Sequence, residues 1–192
     1  MQIQRSEAIF YILNRIKDIR QERGSCIVAI DGNSGSGKST VAAQISAACG
    51  GATVIHMDDF FLPFELRTTD RLAEPGGNID YERFNNEVIK GISSGRSFSY
   101  RVFSCSNGTY SLKKAFCSPV YIIEGVYSLH PHWINSIDLK IFFKIDAKTQ
   151  QERILYRNGP EMLRNFTEKW IPMENSYFNF YKIAENCELT VI

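Results

Sequence analysis

Residues 32–39, with the sequence Gly-Asn-Ser-Gly-Ser-Gly-Lys-Ser, combine residue types and a spacing that can bind phosphate. They fit the pattern G-x-x-x-x-G-K-[ST], whose glycines let successive backbone N–H groups point inward at a polyphosphate. In this pattern Lys38 reaches the outer phosphates and the Ser39 hydroxyl takes a place on Mg²⁺. The residues expected to bind a nucleoside triphosphate are Gly32, Asn33, Ser34, Gly35, Ser36, Gly37, Lys38, Ser39 and Thr40.

The segments on either side of this loop support the same interpretation. Cys26–Ile30 is apolar and predicts a buried strand, and Thr40–Ile45 predicts a helix. Such a helix directs its positive N-terminal end at a bound anion. The alternative is a glycine- and serine-rich turn that matches the pattern by chance, and the flanking strand and helix argue against it.

Three acidic residues stand at or just beyond the ends of predicted strands, namely Asp58, Asp59 and Glu124. Glu124 is placed like a Walker B acid, which binds Mg²⁺ directly or through water. Its alternative role is to accept hydrogen bonds from neighbouring backbone. Asp58 could orient and deprotonate an acceptor hydroxyl, because positioning outweighs basicity in phosphoryl transfer, or it could be a solvated turn residue or a helix cap. Asp59 is expected to cap a turn or to support the metal.

The elements that would position these residues alternate between helix and strand. Strands are predicted near residues 26–30, 53–57, 120–123, 139–145 and 189–192. This alternation predicts a three-layer α/β/α fold of the P-loop NTPase kind, with a mainly parallel five-stranded sheet. Ligands of such sheets bind at the carboxyl ends of the strands. We expect residues 1–192 to form a single domain.

Two further segments stand out from this alternation. Residues 98–113 alternate in polarity and turn at Asn107-Gly108, which predicts a small β-hairpin insertion. After the fourth strand, a helix that Asp146 caps carries Arg153 and Arg157 on one face and ends near Gly159.

The composition limits the classes of partner. Lys and Arg number 22 against 21 acidic residues, a formal charge of +1, which argues against a nucleic-acid or membrane-surface protein. The five cysteines form no C-x-x-C pair and fit a reducing cytosol. We find no signal peptide and no apolar run of the roughly 20 residues that a membrane span needs. A cytoplasmic location is therefore expected, and the sequence leaves open whether the protein forms a homo-oligomer.

Four segments in the same order resemble the uridine kinase-like branch of the P-loop small-molecule kinases. They are Gly32–Thr40, Met57–Phe61, Tyr100–Phe103 and Ile123–Gly125. The branch includes relatives that act on pantothenate, ribulose phosphate, nicotinamide riboside and glycerate. The resemblance covers about residues 26–157.

The resemblance implies roles for residues beside the phosphate loop. It makes Asp58 the catalytic base, lets Asp80 hold sugar hydroxyls of the acceptor, and places Tyr100 in the acceptor pocket. Phe61, Tyr100 and Phe103 could stack on a flat base, although buried aromatic residues are often plain core. Asp80 could equally be the N-cap of a helix that starts at Tyr81.

The resemblance also implies that residues 153–170 form a helical lid whose arginines close over the phosphates. Arg153 and Arg157 would then be catalytic together with Lys38 and Asp58; otherwise they are surface arginines in weak ion pairs. The chain departs from uridine kinases at Phe61, where they have Tyr, and it lacks the Arg-Gly-Arg of their lid. These departures concern the acceptor and the lid more than the phosphate loop.

The sequence thus predicts an ATP- and Mg²⁺-dependent kinase that phosphorylates a hydroxyl of a small metabolite, with a nucleoside as the first expectation. One alternative keeps this chemistry and takes a vitamin precursor or sugar phosphate as acceptor. Another is a nucleotide-dependent switch without an acceptor, although the chain has no Asn-Lys-x-Asp guanine signature.

Overall fold

Strands and helices alternate along most of the chain. The computed structural model describes residues 1–192 and contains the strands β1 (Gln2–Ile3), β2 (Cys26–Gly32), β3 (Thr53–His56), β4 (Phe98–Ser104), β5 (Thr109–Ala115), β6 (Val120–Glu124), β7 (Leu139–Phe143) and β8 (Leu189–Val191). Six of them form a parallel sheet in the order β1-β8-β7-β2-β6-β3. The predicted α/β fold with a mainly parallel sheet is confirmed.

The sheet has one strand more than the sequence predicted. The additional strand, β1, pairs in parallel with β8 at the edge of the sheet, with Gln2 opposite Thr190 and Ile3 opposite Val191. Two residues are too few to show the alternation or the apolar run by which a strand is recognised. The other five strands lie where they were predicted, within about two residues at each end.

Helices cover both faces of the sheet. They are α1 (Arg5–Arg23), α2 (Lys38–Ala48), α3 (Thr69–Ala73), α4 (Tyr81–Phe84), α5 (Lys90–Ser93), α6 (Ala147–Asn165) and α7 (Ile171–Phe180). Turns of π-helix at Asn85–Ile89 and Phe166–Trp170 join α4 to α5 and α6 to α7. No helix combines the length and the apolar character needed to cross a bilayer.

The alternation of side chains along β2 divides the core into two halves. Val28 and Ile30 pack on one face of the sheet against α1 and α2, where Ile12 and Ile16 of α1 are buried. Ala29 lies in the other half, which includes residues of α4, α5 and α7. Because β2 is buried on both faces, its sequence is apolar from Cys26 to Ile30 rather than alternating.

The predicted hairpin is present as β4 and β5, which pair antiparallel from Phe98 opposite Ala115 to Ser104 opposite Thr109. The turn contains Asn107, whose side-chain oxygen accepts a hydrogen bond from the Thr109 backbone, and Gly108, with a φ of 69°. Such Asn-Gly turns suit the twist of paired strands. The hairpin is separate from the main sheet.

Helix α6 is broken where the sequence predicted its end. Asp146 caps its first turn by accepting a hydrogen bond from the Thr149 backbone at 2.9 Å, as expected. Gly159 then adopts φ 81° and ψ 174°, and Pro160 follows it. Those angles are accessible to glycine almost alone. The break gives α6 two arms, and the second arm leads through the π-helical turn to α7.

Candidate active site

A cleft of about 910 Å³ opens at the carboxyl ends of the central strands. The phosphate loop forms one wall through Ser34, Gly35, Gly37, Lys38, Ser39 and Thr40. Gly32, Asn33 and Ser36 belong to the same loop but do not line the cleft. The residues that follow β3 and β6 face this loop, as expected for a parallel sheet.

The backbone of the loop depends on its glycines. Gly32 has a φ of 133°, and a Cβ there would collide with the carbonyl of Phe143 on β7. Gly35 and Gly37 have φ of 76° and 89°, in the left-handed region that glycine favours. Helix α2 begins directly after Gly37, so its N-terminal N–H groups face the cleft, where an anion is favoured.

Lys38 is buried at the base of the cleft. Its Nζ donates to the backbone oxygens of Gly32 at 2.7 Å and Asn33 at 2.9 Å. Burial lowers the pKa of Lys38, and the surrounding carboxylates, Glu174 foremost, oppose that shift. The ammonium group is therefore held against the backbone of the loop, where it is expected to contact the bound phosphates.

Asp58 follows β3 in a short 3₁₀ turn, and its side chain lines the cleft together with Lys38. Desolvation by the residues around it raises the pKa of Asp58, and the charge of Glu124 raises it further, while Lys38 acts in the opposite direction. Asp58 is exposed to the cleft, and a carboxylate beside a phosphate loop can orient a hydroxyl group and accept its proton. The structure thus brings the predicted base and the predicted phosphate site into one cleft.

Glu124, at the end of β6, and Ser39, at the start of α2, bring a carboxylate and a hydroxyl together. Ser39 Oγ donates to Glu124 Oε2 at 3.1 Å, and His56 Nδ1 lies 2.5 Å from Glu124 Oε1. A hydroxyl and a carboxylate are oxygen donors of the kind that Mg²⁺ prefers, and Mg²⁺ completes its shell with water and substrate phosphates. The structure contains no group of three or more His, Cys, Asp or Glu side chains that could hold a metal ion, and the predicted metal role of Ser39 and Glu124 stays a prediction.

Asp59 lies outside the lining of the cleft. Its Oδ2 accepts hydrogen bonds from Tyr100 Oη and Lys113 Nζ, both at 3.1 Å. These bonds attach the hairpin to the turn after β3. The predicted metal role of Asp59 and its predicted role as a turn cap both stay predictions, since the contacts of its side chain are with the hairpin.

Asp80 also has its oxygens occupied within the protein. Oδ1 accepts from the Arg83 backbone at 3.0 Å, and Oδ2 accepts from Arg83 Nε at 2.9 Å. Asp80 is buried and is the N-cap of α4. Of the two roles that the sequence left open, the helix cap is present; the contact with acceptor hydroxyls stays a prediction, and Asp80 does not line the cleft.

The three aromatic candidates separate into two groups. Phe61 lines the cleft. Tyr100 and Phe103 are buried and outside its lining: Tyr100 stacks on Phe60 at 5.3 Å between ring centroids, and Phe103 packs edge-on against Phe64 at 5.6 Å. For these two residues the packing matches the core alternative.

The second wall of the cleft comes from α6 and the segment after it. Arg153 and Arg157 line the cleft on the first arm of α6, and Arg153 Nη1 donates to the Gly35 carbonyl at 3.1 Å. Arg164 does not line it. The second arm and the residues that follow it contribute the largely apolar side chains Met162, Phe166, Trp170 and Met173.

Two buried carboxylates at the loop were not predicted. Asp31 accepts hydrogen bonds from the backbones of Gly32, Tyr127 and Leu129 and from Tyr177 Oη. Burial raises the pKa of Asp31 to about 6. Its position at the end of a buried strand, directly before Gly32, was a visible signal for a role at the loop.

Glu174 is the second of these carboxylates, and it reaches the loop from α7. Its two oxygens accept hydrogen bonds from the backbone N–H and the hydroxyl of Ser34. Burial raises the pKa of Glu174, and the bonds from Ser34 and the charge of Lys38 lower it. Nothing in the local sequence around Glu174 indicates that it meets a residue 140 positions earlier.

A phosphate-binding loop after the second strand, with acidic residues after the neighbouring strands of a parallel sheet, defines a P-loop protein of the kinase type. The model of the Phosphoribulokinase / Uridine kinase family matches residues 27–161. The chain belongs to this family and is a P-loop kinase.

Curated relatives agree with this assignment. A uridine kinase of Staphylococcus haemolyticus is 27% identical over 174 residues, covering 83% of this chain and 79% of the relative. A uridine kinase of Macrococcus caseolyticus is 29% identical over 163 residues, covering 78% and 73%.

Solved structures show the same fold. A protein of Bacillus stearothermophilus described as a possible uridine kinase superposes with a TM-score of 0.68 at 18% identity, covering 95% of this chain and all of that one. YFH7 of Saccharomyces cerevisiae gives a TM-score of 0.61 at 11% identity, covering 96% and 98%.

Proposed function

We propose that this kinase transfers the γ-phosphoryl group of ATP, with Mg²⁺, to a hydroxyl group of a small metabolite, with a nucleoside as the first candidate. The observation that carries the proposal is that the phosphate loop and Asp58 line one cleft. A kinase needs a triphosphate site and a group that orients the acceptor hydroxyl within reach of each other.

Each residue of the cleft has a role in this proposal. The backbone N–H groups of the loop and Lys38 bind the phosphates, and Asp58 orients the acceptor hydroxyl and takes its proton. Mg²⁺ held by Ser39 and Glu124 would supply positive charge to the phosphate oxygens. Arg153 and Arg157 offset the charge that develops during transfer.

A nucleoside acceptor is supported by two independent features. The curated relatives are uridine kinases, and Phe61 and Trp170 provide aromatic surface in the cleft on which a flat base can stack. Asp80, Tyr100 and Phe103 would contribute to this pocket only indirectly, through the turn and the hairpin that they hold. A vitamin precursor or a sugar phosphate is the alternative acceptor for the same chemistry.

Acceptor-dependent release of ADP tests the proposal. Purified protein with ATP and Mg²⁺ is assayed with uridine, cytidine, other nucleosides, pantothenate, glycerate and ribulose 5-phosphate. We expect at least one nucleoside to stimulate turnover strongly, and Lys38→Ala to abolish the stimulated rate because the phosphates lose their buried cation. Stimulation only by a non-nucleoside would redirect the acceptor class. A slow rate indifferent to every acceptor would favour a nucleotide-dependent switch instead.

A further inference from the structure

Ser34, at the outer bend of the phosphate loop, has all of its polar groups bound by two helices. Gln150 Nε2 of α6 donates to the Ser34 carbonyl at 3.0 Å. The Ser34 N–H donates to Glu174 Oε2 of α7 at 3.0 Å, and the Ser34 hydroxyl donates to Glu174 Oε1. One residue of the loop is therefore held from both sides by α6 and α7.

Because these contacts are buried, breaking them would cost more free energy than breaking contacts at the surface. Gln150 and Glu174 are each only 4% exposed. Removing a carboxylate from water costs several kcal/mol in order of magnitude unless hydrogen bonds or opposite charge replace the water. Glu174 receives both from the loop, as two hydrogen bonds from Ser34 and the charge of Lys38. Its position is thus tied to the shape of the loop.

The two helices that meet at Ser34 are also the two ends of the candidate lid. Helix α6 carries Arg153, which bonds to Gly35, before the break at Gly159. Helix α7 begins directly after the π-helical turn that places Trp170 in the cleft. The segment between them therefore starts and ends on helices that are bonded to the loop.

We propose that Glu174 is a positioning residue that holds Ser34 so that the loop is preorganised for nucleotide, and that couples occupation of the loop to the position of α7. This inference rests on the proposed nucleotide site. A loop fixed before binding does not lose conformational entropy on binding, so its affinity is higher. Linkage between two sites is reciprocal. If the contact of Glu174 with Ser34 strengthens nucleotide binding by a given free energy, bound nucleotide strengthens that contact, and so the position of α7, by the same amount.

Calorimetric binding of ADP with Mg²⁺, without acceptor, tests the proposal on the full chain. The set comprises wild type, Glu174→Ala, Glu174→Gln, Ser34→Ala and the double variant Ser34→Ala/Glu174→Ala. Glu185→Ala is the control, because Glu185 is an exposed glutamate beyond the end of α7, outside the candidate lid, and does not line the cleft.

We expect Glu174→Ala to weaken ADP binding about tenfold, since a buried N–H and a hydroxyl lose a charged acceptor. Glu174→Gln should fall between it and wild type, because one amide oxygen can still accept. The double variant should bind no worse than Glu174→Ala, and Glu185→Ala should bind as wild type does. Hydrogen exchange of residues 171–180 should slow on addition of ADP in wild type and not in Glu174→Ala.

Three results would overturn the positioning role: unchanged affinity in Glu174→Ala, tighter binding in that variant, or fully additive effects of Ser34→Ala and Glu174→Ala. Tighter binding would mean that the carboxylate competes with phosphate. If Glu174→Ala does not fold, Glu174→Gln and Ser34→Ala decide the question alone. A wild-type protein that binds no ADP would refute the nucleotide site itself, a different result from a wild type that binds while Glu174 has no influence.

Discussion

Asp58 and Asp59 are neighbours in the sequence, yet their carboxylates have different surroundings. Asp58 lines the cleft beside Lys38, whereas Asp59 accepts hydrogen bonds from Tyr100 and Lys113 of the hairpin. The 3₁₀ turn over Met57–Phe60 directs the two side chains apart. A single turn thus provides both a carboxylate in the cleft and the contacts that attach the turn to the hairpin.

Asp58→Asn should separate binding from chemistry. The amide keeps the shape of the side chain but is a far weaker proton acceptor, so we expect ATP affinity to change little and kcat to fall by about 100-fold or more. Calorimetry measures the first and acceptor-stimulated ADP release the second. Asp70→Asn, at an exposed position in α3, serves as the control. Normal turnover in Asp58→Asn would assign the base to another residue.

The pH dependence of the reaction should reflect the surroundings of Asp58. Desolvation by the residues around it and the charge of Glu124 raise the pKa of Asp58 above its ordinary value of 3.8. A base must be ionised to accept a proton, so kcat/KM should fall as the pH drops through this raised pKa, at a higher pH than an aspartate of ordinary pKa would give. A profile of kcat/KM against pH measures the pH at which the rate falls on the acidic side, and circular dichroism shows whether the protein stays folded there. A rate that stays constant down to the ordinary range of aspartate would contradict this role.

The predictability of the site differs between its residues for a physical reason. Lys38 and Ser39 are fixed by a local motif, and Asp58 and Glu124 by their position after buried strands, so the sequence could indicate all four. Glu174 depends on the packing of α7 against the loop, which no local pattern encodes. The same limitation applies to Tyr100, whose aromatic ring is equally suited to a pocket and to a core.

At the level of elements, Gly159 divides α6 into the arm that carries the cleft arginines and the arm that continues toward Trp170. A Cβ at Gly159 would meet no atom within 4 Å, so only the backbone angles require glycine there. Gly24, which ends α1 with a φ of 79° and a ψ of −27°, also leaves open space for a Cβ. The two glycines differ in what they connect and in ψ, because the ψ of 174° at Gly159 is rarely adopted by other residues at positive φ.

Gly159→Ala should therefore reduce activity, whereas Gly24→Ala should not. Alanine at φ 81° and ψ 174° is strained by about 1–3 kcal/mol, which favours rearrangement of the break in α6. We expect kcat to fall several-fold because Arg157 and the second arm are displaced from the cleft. Both variants should lose some stability in urea denaturation. Equal activity of the two variants would show that the break plays no part in turnover.

The accuracy of the fold prediction also depends on the length of each element. The helix expected to start at Tyr81 is present as α4, a π-helical turn and α5, and Phe84, Val88 and Ile92, which recur at helical spacing, are buried on it. The helical elements between residues 61 and 80 are only a short 3₁₀ turn and the five-residue α3. Elements this short do not complete enough turns to show a period.

At the level of the whole molecule, the cleft is assembled from the phosphate loop, the start of α2, the turn after β3, the end of β6, and α6 and α7, which are far apart in the chain. Ligand that binds only this assembled state stabilises the entire fold by mass action. The thermal stability of the protein therefore reports on the site without an acceptor being known.

Addition of ADP with Mg²⁺ should raise the melting temperature. At about 100 times the dissociation constant the stabilisation is about 2.7 kcal/mol, or about 5–10 °C for a chain of this size. Chelation of Mg²⁺ with EDTA should remove most of the shift, and Lys38→Ala should show little shift at any concentration. A shift that EDTA leaves intact would argue against Ser39 and Glu124 as metal ligands.

The parallel pairing of β1 with β8 has a consequence for how the chain reaches its native state. Met1 and Glu188, which are 187 positions apart, are hydrogen-bonded at this edge. Such long-range pairing is slow, because the entropy of closing the intervening chain is lost before the contact forms. During synthesis on the ribosome, Gln2–Ile3 must therefore wait without its partner until Leu189–Val191 has emerged, which makes this edge among the last parts of the sheet to form.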